Sequence, residues 1–171
     1  MQASVLVPVS AGKILFEVRA LNISQAGEVC FPGGKIEDGE PPLKAAFHET
    51  YEELNLDQSC FTFKKALPKL TLKGQSTLES YLVELRPDFE KKLRLSKNEV
   101  AQVFEVELSW FKNHKAQVYP LDDVNKVPPD LAAFLRNYPP LSGQTLYWQK
   151  GPFVIWGLTA QILKNALEEV N

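Results

Sequence analysis

The side chains best suited to chemistry are acidic residues that follow a glycine pair. Glu49, Glu52 and Glu53 are spaced i, i+3 and i+4, so on a helix of about 100° per residue they cover one narrow arc. Such carboxylates repel one another, which calls for a cation to offset them. Hard oxygen ligands suit Mg²⁺ or Mn²⁺, and these ions neutralise phosphates and activate water. The cluster predicts a divalent-ion site for a phosphate-bearing substrate; a solvated acidic helix face is the alternative.

One helix must present these acids. It is expected to begin after Pro41-Pro42, because proline is accepted in a first turn, and to end near Leu54. Its apolar positions fall on another side of the helix, so the acids are expected to lie on a face apart from the core. Upstream, Gly33 and Gly34 permit backbone angles closed to other residues and let the chain approach a metal or phosphate closely.

The rest of the chain alternates strand and helix signals, which favours an α/β fold. The final segment carries an apolar stripe at helical spacing, interpreted as core packing. Strands are expected at residues 4–9, 13–19, 27–31, 61–72, 76–85 and 101–108, and further helices at residues 130–138 and 152–170.

Composition limits the classes of partner. A chain of 171 residues with 44% hydrophobic residues fits one domain, residues 1–171. A net charge of -2 without a polybasic patch argues against nucleic acid and membrane-surface partners. Cys30 and Cys60 lack CxxC spacing and are expected to be reduced thiols. With no apolar run long enough for a membrane span and no signal-peptide pattern at the start, a cytoplasmic protein is expected.

The segment from Gly34 to Leu56 resembles the Nudix hydrolase box, GX5EX7REUXEEXGU, where U is a bulky apolar residue. Matching positions are Gly34, Glu40, Glu49, Glu52, Glu53 and Leu56. Three positions depart: His48 replaces Arg, Thr50 replaces an apolar residue, and Asn55 replaces Gly. Asn tolerates a left-handed helix end and Thr still offers a methyl group. His48 matters more, because imidazole cannot make the two-pronged, permanently charged contact of a guanidinium.

This resemblance implies a Nudix fold, a mixed β-sheet sandwiched between helices (α/β/α), and hydrolysis of a nucleoside diphosphate linked to another group. It implies that Glu49, Glu52 and Glu53 are catalytic and bind Mg²⁺ or Mn²⁺, with one glutamate taking a proton from water. Gly33, Gly34 and Lys35 would bind substrate, and Glu40 and His48 would have structural roles in the motif.

Residues 15–34 also resemble the signature of Nudix coenzyme A diphosphatases, LLTXRSX3RX3GX3FPGG, and the likeness extends to residues 97–108 and 155–163. The segment is one residue short and lacks the second arginine, with Ser24 or Gln25 nearby. By this resemblance Glu99 is a further metal ligand, with an ordinary strand-edge glutamate as the alternative. Arg19 would contact a substrate phosphate, with a surface strand residue as the alternative.

The sequence therefore predicts hydrolysis of coenzyme A (CoA) or acyl-CoA to 3',5'-ADP and a 4'-phosphopantetheine. The alternatives are a Nudix pyrophosphatase for another adenosine diphosphate derivative, such as NADH or ADP-ribose, and a Nudix-like module that binds a nucleotide without turnover. The predicted partner is a small CoA-like nucleotide, and a homodimer is left open.

Overall fold

A mixed β-sheet forms the centre of the protein in the computed structural model, which describes residues 2–72, 74 and 76–170. Strand β1 (Gln2–Ser10) runs parallel to β7 (Thr77–Leu85) and antiparallel to β2 (Lys13–Arg19) and β4 (Gly33–Lys35). The sheet extends from these strands: β2 also pairs with β3 (Val29–Cys30) and β8 (Val100–Glu107), and β7 with β5 (Phe61–Ala66) and β6 (Leu70–Thr71).

A second, antiparallel sheet follows in the chain. It contains β9 (Gln117–Pro120), β10 (Gln144–Lys150) and β11 (Phe153–Trp156), with β10 in the middle. The helices are α1 (Pro42–Leu54), α2 (Leu108–Asn113), α3 (Pro129–Leu135) and α4 (Gly157–Glu169). Within the described residues, no helix is long and apolar enough to span a bilayer.

Helices cover both faces of the central sheet. Successive strand residues point to opposite faces, so each strand supplies side chains that pack on both. Leu6 and Leu15 pack with Leu54 of α1 on one face. Their neighbours Val7 and Phe16 pack on the other face with α4, through Ile162, Leu163 and Ala166. The predicted fold, an α/β arrangement of a mixed sheet between helices, is therefore confirmed.

Helix α1 has the predicted bounds. Pro42 lies in its first turn, and Asn55 ends it in the left-handed conformation, with φ 59°, while its backbone N–H donates to Tyr51 O. Thr50 is fully buried, and its hydroxyl donates to Ala46 O at 2.7 Å. Both departures from the Nudix box are thus accommodated locally.

The C-terminal helix is shorter than predicted. Residues 153–156 form β11, in which Ile155 pairs with Trp148 of β10, and α4 begins only at Gly157, with φ 60°. The sequence FVIW is β-branched and aromatic, which favours a strand. Phe153 and Trp156 therefore do not belong to the helical apolar stripe, which starts later in the segment.

Other elements also differ from the prediction. The strand expected at 27–31 is reduced to Val29–Cys30, and the one expected at 61–72 is interrupted between Ala66 and Leu70, where Pro68 cannot donate a ladder hydrogen bond. The helix expected at 130–138 ends at Leu135. The short elements β4, α2, β9 and β10 were not predicted.

Candidate active site

Glu53 is the most enclosed of the predicted catalytic acids. It lies in the last turn of α1, its side chain is only 7% exposed, and the Gly33 backbone N–H donates to its Oε2 at 2.9 Å. The acids were expected to lie apart from the core, and for Glu53 that expectation is wrong. Its carboxylate points at the glycine loop, Glu49 is half-buried, and Glu52 is exposed.

The glycine pair allows the backbone to approach α1 and β1. Gly33 has φ +138°, and a Cβ there would lie 2.6 Å from Val5 Cα and closer still to Ser4 O. A Cβ on Gly34 would lie 2.7 Å from Glu49 Cδ, so the Glu49 carboxylate occupies the space that a side chain would fill. The glycine pair thus lets the backbone of its loop contact the side chains of both Glu53 and Glu49. Lys35, in contrast, has an exposed side chain at the end of β4.

Backbone hydrogen bonds tie the segment that carries Glu99 to the end of α1. Ser96 N–H donates to Glu53 O at 2.8 Å, and Ala20 N–H donates to Glu99 O at 2.9 Å. Glu99 lies in the turn just before β8, with its side chain exposed. It is therefore held beside the acids of α1 although it is distant from them in sequence.

Electrostatics place these carboxylates in one region. Burial raises the pKa of Glu53 well above its usual range, and the charges of Glu17, Glu49 and Glu99 raise it further, against the lowering effect of the Gly33 N–H. Burial is also the main cause of the raised pKa of Glu49, followed by the charge of Glu52. Burial and the neighbouring carboxylates thus disfavour the ionised forms of Glu49 and Glu53, and a bound cation would offset both effects.

The sequence analysis missed Glu17, which belongs to the same region. Glu17 is 1% exposed in the middle of β2, and its pKa is raised mainly by burial and also by Glu99. A carboxylate inside the apolar run ILFEV was the available signal, since an acid is almost never fully buried without a partner.

His48 lies between two glutamates on the exposed side of α1. Its Nε2 is 3.1 Å from Glu52 Oε1, and its Nδ1 is 3.8 Å from Glu40 Oε1. The imidazole therefore links the two acids through separate nitrogens, with a closer contact to Glu52. The structure brings Glu40 and His48 together at the edge of the acidic region.

On the face of the central sheet that α4 covers, a cleft of about 510 Å³ lies between the sheet, α4 and the loop that follows α3; Cys30, whose thiol contacts Glu17, is part of its wall. Arg19 lines it, and the Arg19 Nε donates to Ser24 O at 3.0 Å. Tyr138, also in its wall, donates to Glu28 Oε1 at 2.7 Å and accepts a hydrogen bond from Gln25 Nε2. Apolar side chains complete the wall: Leu121, Leu141, Leu146, Trp156 and Ile162. Except for Arg19, none of these residues was singled out from sequence for binding.

The carboxylates fit a hard divalent cation chemically. They offer oxygen donors only, and Glu17 Oε2 is a buried oxygen with no hydrogen-bond partner among the described residues. Within the part of the chain that the structure describes, no three His, Cys, Asp or Glu side chains already form a group that could hold a metal ion. Binding an ion therefore requires rotation of side chains; Glu52 and Glu99 are exposed, and rotation of Glu52 into the site would break its contact with His48.

Comparisons with known proteins identify the domain. Residues 1–136 match the NUDIX domain model. A "probable nudix hydrolase" of Schizosaccharomyces pombe is 28% identical over 186 residues, covering 98% of this chain and 55% of that protein, so the chain spans about half of this relative's length. The uncharacterized Nudix hydrolase NudL of Shigella boydii is 27% identical over 173 residues, covering 96% of this chain and 80% of that protein.

Solved structures share the fold. A binary complex of the Caenorhabditis elegans Ap4A hydrolase superposes with a TM-score of 0.53 at 22% identity, covering 78% of this chain and 92% of that one. A MutT protein of Methanosarcina mazei gives a TM-score of 0.53 at 15% identity, covering 80% and 90%. Given the matched domain model and the box presented by α1, the chain belongs to the Nudix hydrolase family.

Proposed function

We propose that this protein hydrolyses the diphosphate bond of a nucleoside diphosphate derivative with Mg²⁺ or Mn²⁺. Nudix hydrolases generally use divalent metals and act on small nucleotide substrates. The observation that carries the proposal is the convergence of Glu49 and Glu53 on the Gly33-Gly34 loop, where burial raises the pKa of both acids and the charge of Glu99 raises it further. Such surplus negative charge is what a divalent cation offsets.

In this proposal Glu49, Glu52, Glu53 and Glu99 hold the ion. When bound, the ion neutralises the diphosphate and makes a bound water more acidic. One of the glutamates takes the proton of the attacking water, which a carboxylate can do when it lies within hydrogen-bonding distance. The Gly33 N–H fixes the Glu53 carboxylate, and the missing side chain at Gly34 lets the Glu49 carboxylate lie against the loop. Lys35 contributes a cation near the same loop.

We propose CoA or an acyl-CoA as the substrate, with 3',5'-ADP and (acyl-)4'-phosphopantetheine as products. The resemblance of residues 15–34 to the CoA diphosphatase signature supports this choice. So does the cleft lined by Arg19 and Cys30, whose volume lies in the usual range for small-molecule sites. Its apolar wall suits a base or an acyl-pantetheine chain, and Arg19 offers a fixed cation at its edge for a phosphate.

Another adenosine diphosphate derivative, such as NADH or ADP-ribose, is the second candidate. The surroundings of Gln25 and Arg19 favour it. Gln25, near the position of the missing second arginine, is hydrogen-bonded to Tyr138. Arg19 has the carboxylates of Glu17 and Glu28 as neighbours. A cation shared with two acids attracts the extra phosphate of CoA less strongly. A binding module without turnover is the third candidate, to which His48 gives weight.

Discrimination between CoA and 3'-dephospho-CoA tests the substrate. We expect kcat/KM to be higher for CoA by about 10-fold or more, because one charge-assisted contact to the 3'-phosphate is worth about 1.5 to 3 kcal/mol. Arg19→Ala should narrow this difference. The measurement is steady-state hydrolysis with Mg²⁺ and with Mn²⁺, with both products resolved by chromatography.

Equal rates for the two substrates would contradict recognition of the 3'-phosphate. Turnover of NADH or ADP-ribose with neither CoA form cleaved would assign the protein to the second candidate. Binding of any of these nucleotides without divalent-dependent product would assign it to the third. Release of free phosphate would indicate a reaction other than cleavage within the diphosphate.

The contacts of His48 predict mild effects of substitution. His48→Ala should lower kcat by no more than about fivefold, because an exposed contact such as that with Glu52 is worth at most about 1 kcal/mol even between opposite charges. His48→Arg should retain or raise kcat, since guanidinium can bond to Glu40 and Glu52 with permanent charge. A steep loss of kcat with arginine would show that imidazole has a role of its own.

We also propose that residues 1–171 act as one Nudix domain, extending past the matched residues 1–136. Support comes from α4, whose Ile162, Leu163 and Ala166 pack in the same core as Val7 and Phe16 of the central sheet. The Thr159 hydroxyl donates to Val29 O at 3.0 Å, which ties α4 to β3. The cleft is lined by residues from both parts.

A further inference from the structure

Glu17 is held in the central sheet from both sides. Its Cα pairs with Cys30 of β3 and with Val103 of β8, and its side chain is 1% exposed. A strand position between two neighbours has little freedom to turn its side chain away. The carboxylate therefore stays inside the protein, on the side where the acids of α1 converge.

Only one of the two carboxylate oxygens is bonded. The Cys30 thiol donates to Oε1 at 3.2 Å, whereas Oε2 finds no partner among the described residues. Arg19 is the nearby cation, but its Nε donates to Ser24 O. Burying a carboxylate oxygen without a hydrogen-bond partner costs free energy, and a cation bound to Oε2 would offset this cost.

The neighbours of Glu17 are the acids of the proposed ion site. Among the charges that act on Glu53, that of Glu17 has the largest effect, and Glu99 acts on both residues. The charge of Glu17 and, to a smaller extent, that of Glu53 raise the pKa of the Cys30 thiol. Burial raises the pKa of the Cys30 thiol well above its usual range, so sulfur keeps its proton and serves as a donor to Glu17.

We propose that Glu17 is an additional carboxylate ligand of the divalent ion, binding through Oε2, and that the Cys30 thiol is the positioning residue that fixes it. This inference rests on the proposed ion site of Glu49, Glu52, Glu53 and Glu99. If Glu17 instead had a purely structural role, joining β2 to β3 through Cys30 without contacting the ion, its substitution would leave ion affinity unchanged.

The test is Mn²⁺ binding to the purified protein, measured by electron paramagnetic resonance titration without substrate, together with Tm with and without Mn²⁺. Glu17→Gln should weaken Mn²⁺ binding about 10-fold or more and reduce the rise in Tm caused by the ion. Its Tm without metal should equal or exceed that of the parent, because a buried charge is removed. Glu28→Gln is the matched control: it also removes a buried carboxylate near Arg19, but Tyr138 satisfies that group, and Mn²⁺ affinity should not change.

Three further variants separate direct contact with the ion from a purely electrostatic effect of Glu17 and test the role of the Cys30 thiol. Glu17→Asp keeps the charge but shortens the reach, so direct binding predicts weaker Mn²⁺ affinity; parental affinity would overturn direct contact. It also carries the test if the glutamine variant does not fold. Cys30→Ala should weaken Mn²⁺ binding several-fold, whereas Cys30→Ser, which retains a donor, should restore it; equal affinities for all three would overturn the role of Cys30.

Glu53→Gln distinguishes failure of this inference from failure of the proposed function. If Glu53→Gln loses Mn²⁺ affinity while Glu17→Gln keeps it, the ion site stands and the inference is wrong. If Glu53→Gln also binds Mn²⁺ as the parent does, the proposed ion site itself is wrong.

Discussion

Glu53→Gln is expected to lower kcat by roughly 100-fold or more, about 3 kcal/mol of transition-state stabilisation. The substitution removes the negative charge that the ion requires but keeps the shape of the side chain. Its amide oxygen can still accept the Gly33 N–H, so the contact between α1 and the glycine loop is retained. The measurement is kcat with CoA at saturating Mg²⁺, alongside the free energy of unfolding.

Glu37→Gln provides the control for this variant. Glu37 is an exposed carboxylate in the loop before α1, so its substitution removes the same charge without changing the buried site. We expect its kcat to match the parent. If Glu53→Gln turned over substrate at the parental rate, the acids of α1 would be only a charged surface, and the proposed mechanism would be wrong.

Gly33→Ala is expected to destabilise the protein by about 3 kcal/mol or more, from strain at a positive φ and from overpacking. The added Cβ would collide with the backbone of β1 at Ser4 and Val5, which cannot move aside without breaking the central sheet. Urea unfolding should show the loss directly, with Tm lower by about 10 °C.

Two other glycines make this prediction specific. Gly39 has φ +80° with open space around its Cβ position, so Gly39→Ala should cost only about 1 kcal/mol of backbone strain. Gly34→Ala should leave stability nearly intact while kcat falls, because its Cβ meets the movable Glu49 carboxylate rather than backbone. Equal stability losses at Gly33 and Gly39 would show that collision with β1 is not the cause.

Local signals made α1 and its acids predictable from sequence. The proline pair and Asn55 mark both ends of the helix, and the spacing of the glutamates follows from helical periodicity, so no distant contact was needed. The burial of Glu53 was not predictable in this way. It depends on the glycine loop folding back over α1, an arrangement between residues 20 positions apart.

Features set by the pairing of strands were missed. The sequence FVIW continues smoothly into a helical pattern, and only its pairing with Trp148 and its neighbours in β10 makes it a strand. Glu17 was passed over for a similar reason: a single acid in a strand is ordinarily assigned to a solvent-facing edge, whereas β3 and β8 enclose it on both sides. The cleft likewise joins residues such as Arg19 and Tyr138 that nothing in the local sequence connects.

The parallel pairing of β1 with β7 has a consequence for the order in which the protein is assembled during synthesis. The two strands are separated by the whole Nudix box, so α1 cannot pack against a completed sheet until β7 has been made. At about 5–20 residues per second, the roughly 70 intervening residues take about 4 to 14 seconds to translate. During that interval β1 and the apolar side of α1 lack their final cover. We therefore expect the nascent chain to expose the most apolar surface after the Nudix box has been synthesised and before β7 is available.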